Sequence, residues 1–139
     1  MMVTGLVFLA IISLNYQAAF RDYPANYRQS AWNSSEMANI IRQTELSTGF
    51  PQNAWVVGYP YWVDARAVAL EADRPDQDLA LASDQLEQTV NVLGSKLFLI
   101  HPLDGSAVEK LQQLYPTGTF AMYASSIPEK DFLVFLVKP

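Results

Sequence analysis

Two short apolar runs, NAWVVG at 53–58 and SKLFLIH at 95–101, stand between stretches whose apolar residues recur at helical spacing. A chain that alternates in this way buries both kinds of element best as a mostly parallel sheet with helices on its faces. Asn53 and Gly58 bound the first run, and Pro60 cannot donate to a ladder, so that strand stops before it. From Tyr61 a helical spacing takes over through Trp62, Ala65 or Arg66, and Ala69. SKLFLIH is the clearest strand signal in the chain.

The remaining stretches fit the same plan. NSSEMANIIRQTEL at 33–46 reads as a helix with Met37, Ile40, Ile41 and Thr44 on one face, and Gly49 and Pro51 end it. Asn33 can cap it, and Glu36, three residues on, is placed for a capping box. EADRPDQD at 71–78 is a loop by composition, and DLALA at 78–82 can form a short strand. Residues 83–93 follow as a helix or long turn carrying Leu86, Val90 and Leu93. Asp104 can cap a helix striped by Val108, Leu111, Leu114 and Tyr115, which Pro116 and Gly118 stop. TFAMYAS and DFLVFLVK finish as two strands whose short connection makes them an antiparallel hairpin. The expected fold is α/β: three layers and a mostly parallel sheet of about four or five strands, with a C-terminal antiparallel hairpin and a preceding apolar helix.

The totals narrow the function classes. The 139 residues suffice for one domain with a core, and half of them are apolar. A net charge of −5 argues against nonspecific nucleic-acid binding, so no nucleic-acid partner is expected. The absence of cysteine removes disulfides, thiolate metal sites and cysteine nucleophiles. The one histidine is His101, so a histidine-rich metal site is impossible within one chain, and no metal or cofactor is expected. No phosphate loop, dinucleotide fingerprint or nucleophile elbow occurs.

Residues 1–20 carry no charge, and the first charged side chain is Arg21. The strongly apolar part, Val3 to Leu14, is shorter than the roughly 20 residues a spanning helix needs. Three readings stand open: a signal peptide, a core helix, and a membrane helix or its trailing end. The first lacks a preceding Lys or Arg and a small-x-small cleavage site. The third gains from Tyr16 and Phe20, because aromatic residues are enriched at the membrane interface. The expected division is residues 1–20 as the apolar membrane helix or its end, 21–32 as an aromatic-rich linker, and 33–139 as a soluble α/β domain.

The stretch GYPYWVDAR at 58–66 is the candidate site. Ligand sites in open α/β sheets lie beyond the carboxyl ends of strands. Tyr59, Tyr61 and Trp62 would suit stacking on a sugar or ring, with Asp64 and Arg66 beside them. His101 ends the strongest strand and belongs to the same edge. The competing structural reading has the aromatics covering the core, Asp64 capping a helix or pairing with Arg66, and His101 in a structural role. Seven of the 14 acidic residues lie between Asp64 and Glu87, which reads as a solvated acidic face. They lack the pattern of a calcium loop.

The segments SAWNSSEM at 30–37, WVVGYPYWVDAR at 55–66, HPLD at 101–104, LYPTGTFAMY at 114–123 and DFLVFLVKP at 131–139 together resemble one family. It is the C-terminal extracytoplasmic tail of bacterial polytopic glycosyltransferases of the dolichyl-phosphate-mannose–protein mannosyltransferase type. The resemblance covers nearly the whole chain. It implies a parent membrane enzyme that uses a lipid-phosphate-linked sugar, with this domain outside the cytoplasmic membrane. The partners it implies are the membrane, the rest of the parent glycosyltransferase, and a glycan or lipid-linked sugar. The family's catalytic acid belongs to an early loop with no counterpart here, so no catalytic residue is carried over. The expected role is a non-catalytic accessory domain that positions acceptor or lipid carrier, with Tyr59, Tyr61, Trp62, Asp64, Arg66 and His101 as candidate ligand contacts. Two alternatives stand beside it: a stand-alone membrane-tethered module binding glycan or protein, and a small enzyme using Asp64, Arg66 and His101.

Overall fold

The computed structural model describes residues 2–23, 32–48 and 53–139. Most of the expected linker and the expected helix stop at Gly49 and Pro51 lie outside the described residues. The chain divides into two compact units, Met1–Ala31 and Trp32–Pro139.

In the first unit α1 spans Met2–Gln17 and continues into a π-helical turn at Ala18–Asp22. Its apolar residues lie all round the helix rather than along one stripe. The Tyr16 and Phe20 rings stand 4.8 Å apart. No helix among the described residues is long and apolar enough to cross a membrane. A complete membrane-spanning helix within residues 1–20 is therefore not supported, while the reading of this stretch as the end of such a helix needs no full span. The reason is length: 16 residues of α-helix rise about 24 Å, against a hydrocarbon core of about 30 Å. The widened turn that follows already carries Arg21.

The second unit runs α2 (Ser34–Thr48), β1 (Ala54–Val57), α3 (Ala65–Glu71), β2 (Ala80–Leu81), a 3-10 helix (Ser83–Asn91), β3 (Lys96–Ile100), α4 (Gly105–Leu114), β4 (Thr119–Tyr123) and β5 (Phe132–Val137). The five strands form one mixed sheet in the order β2-β1-β3-β5-β4. β1 pairs in parallel with β2 and β3, whereas β5 pairs antiparallel with β3 and β4. Four strands thus run one way and β5 runs against them. The C-terminal pair forms the expected antiparallel hairpin, but β5 enters the sheet and leaves β4 at the edge. FLVFLV presents apolar residues to both faces, as an interior strand requires.

Period-two alternation divides the core between two faces. Ala54, Val56, Leu97, Leu99 and Phe132 pack with Met37 and Ile41 of α2 and Val68 and Ala69 of α3. Val57, Phe98, Ile100, Phe135 and Val137 pack with Leu86 of the 3-10 helix and Ala107 and Leu111 of α4. β3 is buried at all five positions.

Two helix starts differ from expectation. α3 begins at Ala65 rather than near Tyr61, because Tyr61 takes φ 55 and Asp64 is extended and caps the helix. Nor does Asn33 form a capping box with Glu36. The Asn33 side chain donates to the Lys130 carbonyl, and the Asn33 carbonyl accepts from the Glu36 and Met37 N–H groups. Glu36 turns instead to the turn between β4 and β5.

Candidate functional site

β1 leads into α3 on one face of the sheet, and β3 leads into α4 on the other. The chain therefore departs in opposite directions from two adjacent parallel strands. This is the topological switch point at which open α/β sheets leave a crevice. Gly58 continues the β1–β2 ladder by donating to the Leu81 carbonyl at 2.8 Å, and Trp62 N–H closes a turn on the Tyr59 carbonyl at 3.3 Å. These bonds set Tyr59 and Trp62 beside the loop that follows β3.

Tyr59 and His101 stack across the crevice, with ring centroids 4.1 Å apart and planes 3° from parallel. Trp62 meets His101 edge-on at 5.5 Å and 89°. All three rings are half-buried. The loop holding His101 is tied down from below. His101 Nδ1 accepts the Leu103 N–H at 3.2 Å, and Asp104 N–H donates to the His101 carbonyl at 2.9 Å. The buried Asp104 caps α4, accepting from Ala107 N–H at 3.0 Å and Ser106 Oγ at 2.9 Å. Ser83 Oγ lies 3.4 Å from both Asp104 Oδ2 and the Gly58 carbonyl, so it joins the ends of β1, β2 and β3.

Burial lowers the His101 pKa below its ordinary value; Asp104 opposes that shift and Lys130 reinforces it. With Nδ1 accepting a backbone N–H, the neutral ring carries its proton on Nε2. His101 is thus an aromatic surface with one donor rather than a free base.

Of the six candidate residues, the structure brings Tyr59, Trp62 and His101 together. Tyr61 is 100% exposed. Asp64 Oδ1 accepts the Arg66 N–H at 2.8 Å, which caps α3. Arg66 is exposed and lines a hollow of about 350 Å³ with Pro75, Asp76, Gln77 and Asp78. Arg74, read from the sequence as part of a solvated acidic loop, is buried to 6% exposure and pairs with Glu45 at 2.7 Å. The acids of that loop are exposed as expected.

Sequence reasoning missed the neighbouring cluster around the turn between β4 and β5. Lys130 Nζ lies 4.2 Å from the centre of the Trp32 ring. Glu36 accepts from Ser125 Oγ at 2.6 Å, Ser126 N–H at 2.8 Å and Ser126 Oγ at 2.6 Å. Burial by itself would raise the Glu36 pKa, but these three bonds together lower it. Partners some 90 positions apart leave no local signal. Among the described residues no group of His, Cys, Asp and Glu is placed to hold a metal ion.

The fold and site together define a mixed α/β domain with an aromatic cluster at its switch point. Comparison with known proteins finds no family model, no curated protein and no solved structure that matches this chain.

Proposed function

We propose that residues 32–139 form a non-catalytic accessory domain of a membrane glycosyltransferase that uses a lipid-phosphate-linked sugar. In this reading the domain lies outside the cytoplasmic membrane. Tyr59, Trp62 and His101 offer a ring surface on which a sugar of the acceptor or the carrier stacks. The observation that carries the proposal is the switch-point cluster itself: three rings meet there, and the two titratable groups beside them, the His101 Nδ1 and the Asp104 carboxylate, already hold backbone N–H groups. His101 Nδ1 holds the Leu103 N–H, and Asp104 caps α4. Aromatic surface edged by the His101 Nε2–H, the Tyr59 hydroxyl and the Trp62 indole N–H suits the face and hydroxyls of a sugar, whereas bond cleavage needs an uncommitted base.

Two further features support the wider reading. The segments from SAWNSSEM to DFLVFLVKP resemble the tail of the mannosyltransferase-type enzymes throughout the second unit. α1 is apolar all round, which suits contact with lipid.

The test is the native product in cells, detected with an antibody against residues 33–139. The proposal expects a membrane-bound polypeptide far larger than the 15.6 kDa of this chain. A soluble product of that same mass would sink it.

A further inference from the structure

The two edges of the sheet are built differently. The β2 edge is two residues long and has Asp78 and Asp84 close on either side. Short length and charge are the usual protections of an exposed edge. The β4 edge has neither. It is five residues long, and the chain carries no charge from Pro116 to Ser126. Among the described residues β4 pairs on one side only, with β5. Thr119, Ala121 and Met122 are exposed, Met122 at 57%. An open, uncharged edge of this kind is a template for another strand.

We infer that the β4 edge is a self-association surface at which a second copy of this chain adds its own β4 antiparallel, making one continuous sheet across a two-fold axis. The strand is self-complementary in that arrangement. With Ala121 on the axis, Phe120 faces Met122 of the second copy and Thr119 faces its Tyr123. A ring therefore meets a thioether, a favourable contact, on the side of the sheet where Phe120 and Met122 lie. The small Ala121 meets itself where two larger side chains would crowd. No like charges oppose one another anywhere along the pairing. A closed two-fold pairing also consumes the edge on both copies, so the assembly stops at two.

The chain contains no cysteine, so single cysteines report the register directly. The measurement is mild oxidation of the full chain in detergent, comparing Ala121→Cys with Thr119→Cys. In the proposed pairing the two Ala121 positions stand about 5 Å apart, within disulfide reach. The two Thr119 positions stand about 14 Å apart, outside it. Ala121→Cys is expected to form a linked dimer at least about tenfold faster than Thr119→Cys. Met122→Lys, which places like charges beside the axis, is expected to shift the sedimenting species from dimer to monomer. Equal linking of the two cysteine variants would assign association to α1 or to random collision and overturn the inference. Absence of linking, or a dimer that survives Met122→Lys, overturns it as well.

Discussion

His101 and Glu36 are the two side chains through which acid should act on this fold. Burial holds the His101 pKa below its ordinary value of 6.5. Between those two values the unfolded chain binds the proton that the folded chain refuses, so stability rises with pH. The contribution is fully present above about 6.5 and is lost as pH falls through the lowered value. Urea unfolding across this range is expected to show that slope, and His101→Phe, which keeps a ring on Tyr59, is expected to remove it. Glu36 acts in a lower window. Its pKa is lowered from 4.5 in the folded state, so its contribution is present above that value and lost as pH falls through the lowered one. Glu36→Gln is expected to flatten the stability profile below 4.5 and to leave the His101 slope intact. The individual residues were the least legible part of the sequence. Glu36 sits where a capping box would place it, but its partners come from the far end of the chain. Arg74 sits among acids in a loop, but Glu45 of α2 draws it inward.

At the scale of elements, packing around Phe135 and the cap of α4 give two further tests. A Cβ at Gly118 would run into the Phe135 ring, which is fully buried against Phe98, Tyr115 and Phe120. Gly118→Ala is therefore expected to destabilise the fold by about 1–3 kcal/mol, read from the midpoint of denaturant unfolding. Asp104→Ala removes the α4 cap and the link to Ser83, and is expected to cost about 1–2 kcal/mol. An unchanged midpoint would show that the cap contributes nothing measurable. Elements were the most legible scale. β3 and β5 announced themselves as continuous apolar runs, because strands covered on both faces have no polar side to show. α3 starts later than the spacing predicts, because Trp62 and Ala65 happen to fit a helical spacing while Tyr61 takes a positive φ that breaks it. The short connection between β4 and β5 predicts their pairing. It does not say which of them inserts beside β3, since that depends on which strand buries more on both faces.

For the whole molecule, the alternation of runs was enough to expect a sheet with helices on both faces. The switch point was legible only in part. Pro60 and the end of SKLFLIH located the carboxyl edge, and composition marked the aromatics near it. Which rings meet follows from strand order, which no local pattern encodes. Strand order brings His101 to Tyr59 and Trp62, while the local turn leaves Tyr61 exposed and Asp64 capping α3. The uncharged N-terminus was legible as a helix-former, but a membrane-crossing length was not met. In the proposed function the ring cluster holds a sugar without transforming it. The most direct measurement is an NMR titration of the full chain in detergent with hexosyl short-chain lipid phosphates, followed by recovery of the ligand. The account predicts shifts centred on Tyr59, Trp62 and His101, affinity at least about tenfold weaker in Trp62→Ala (about 1.4 kcal/mol), and ligand recovered intact. Shifts that avoid these three residues, or a ligand returned with its glycosyl bond broken, would contradict it.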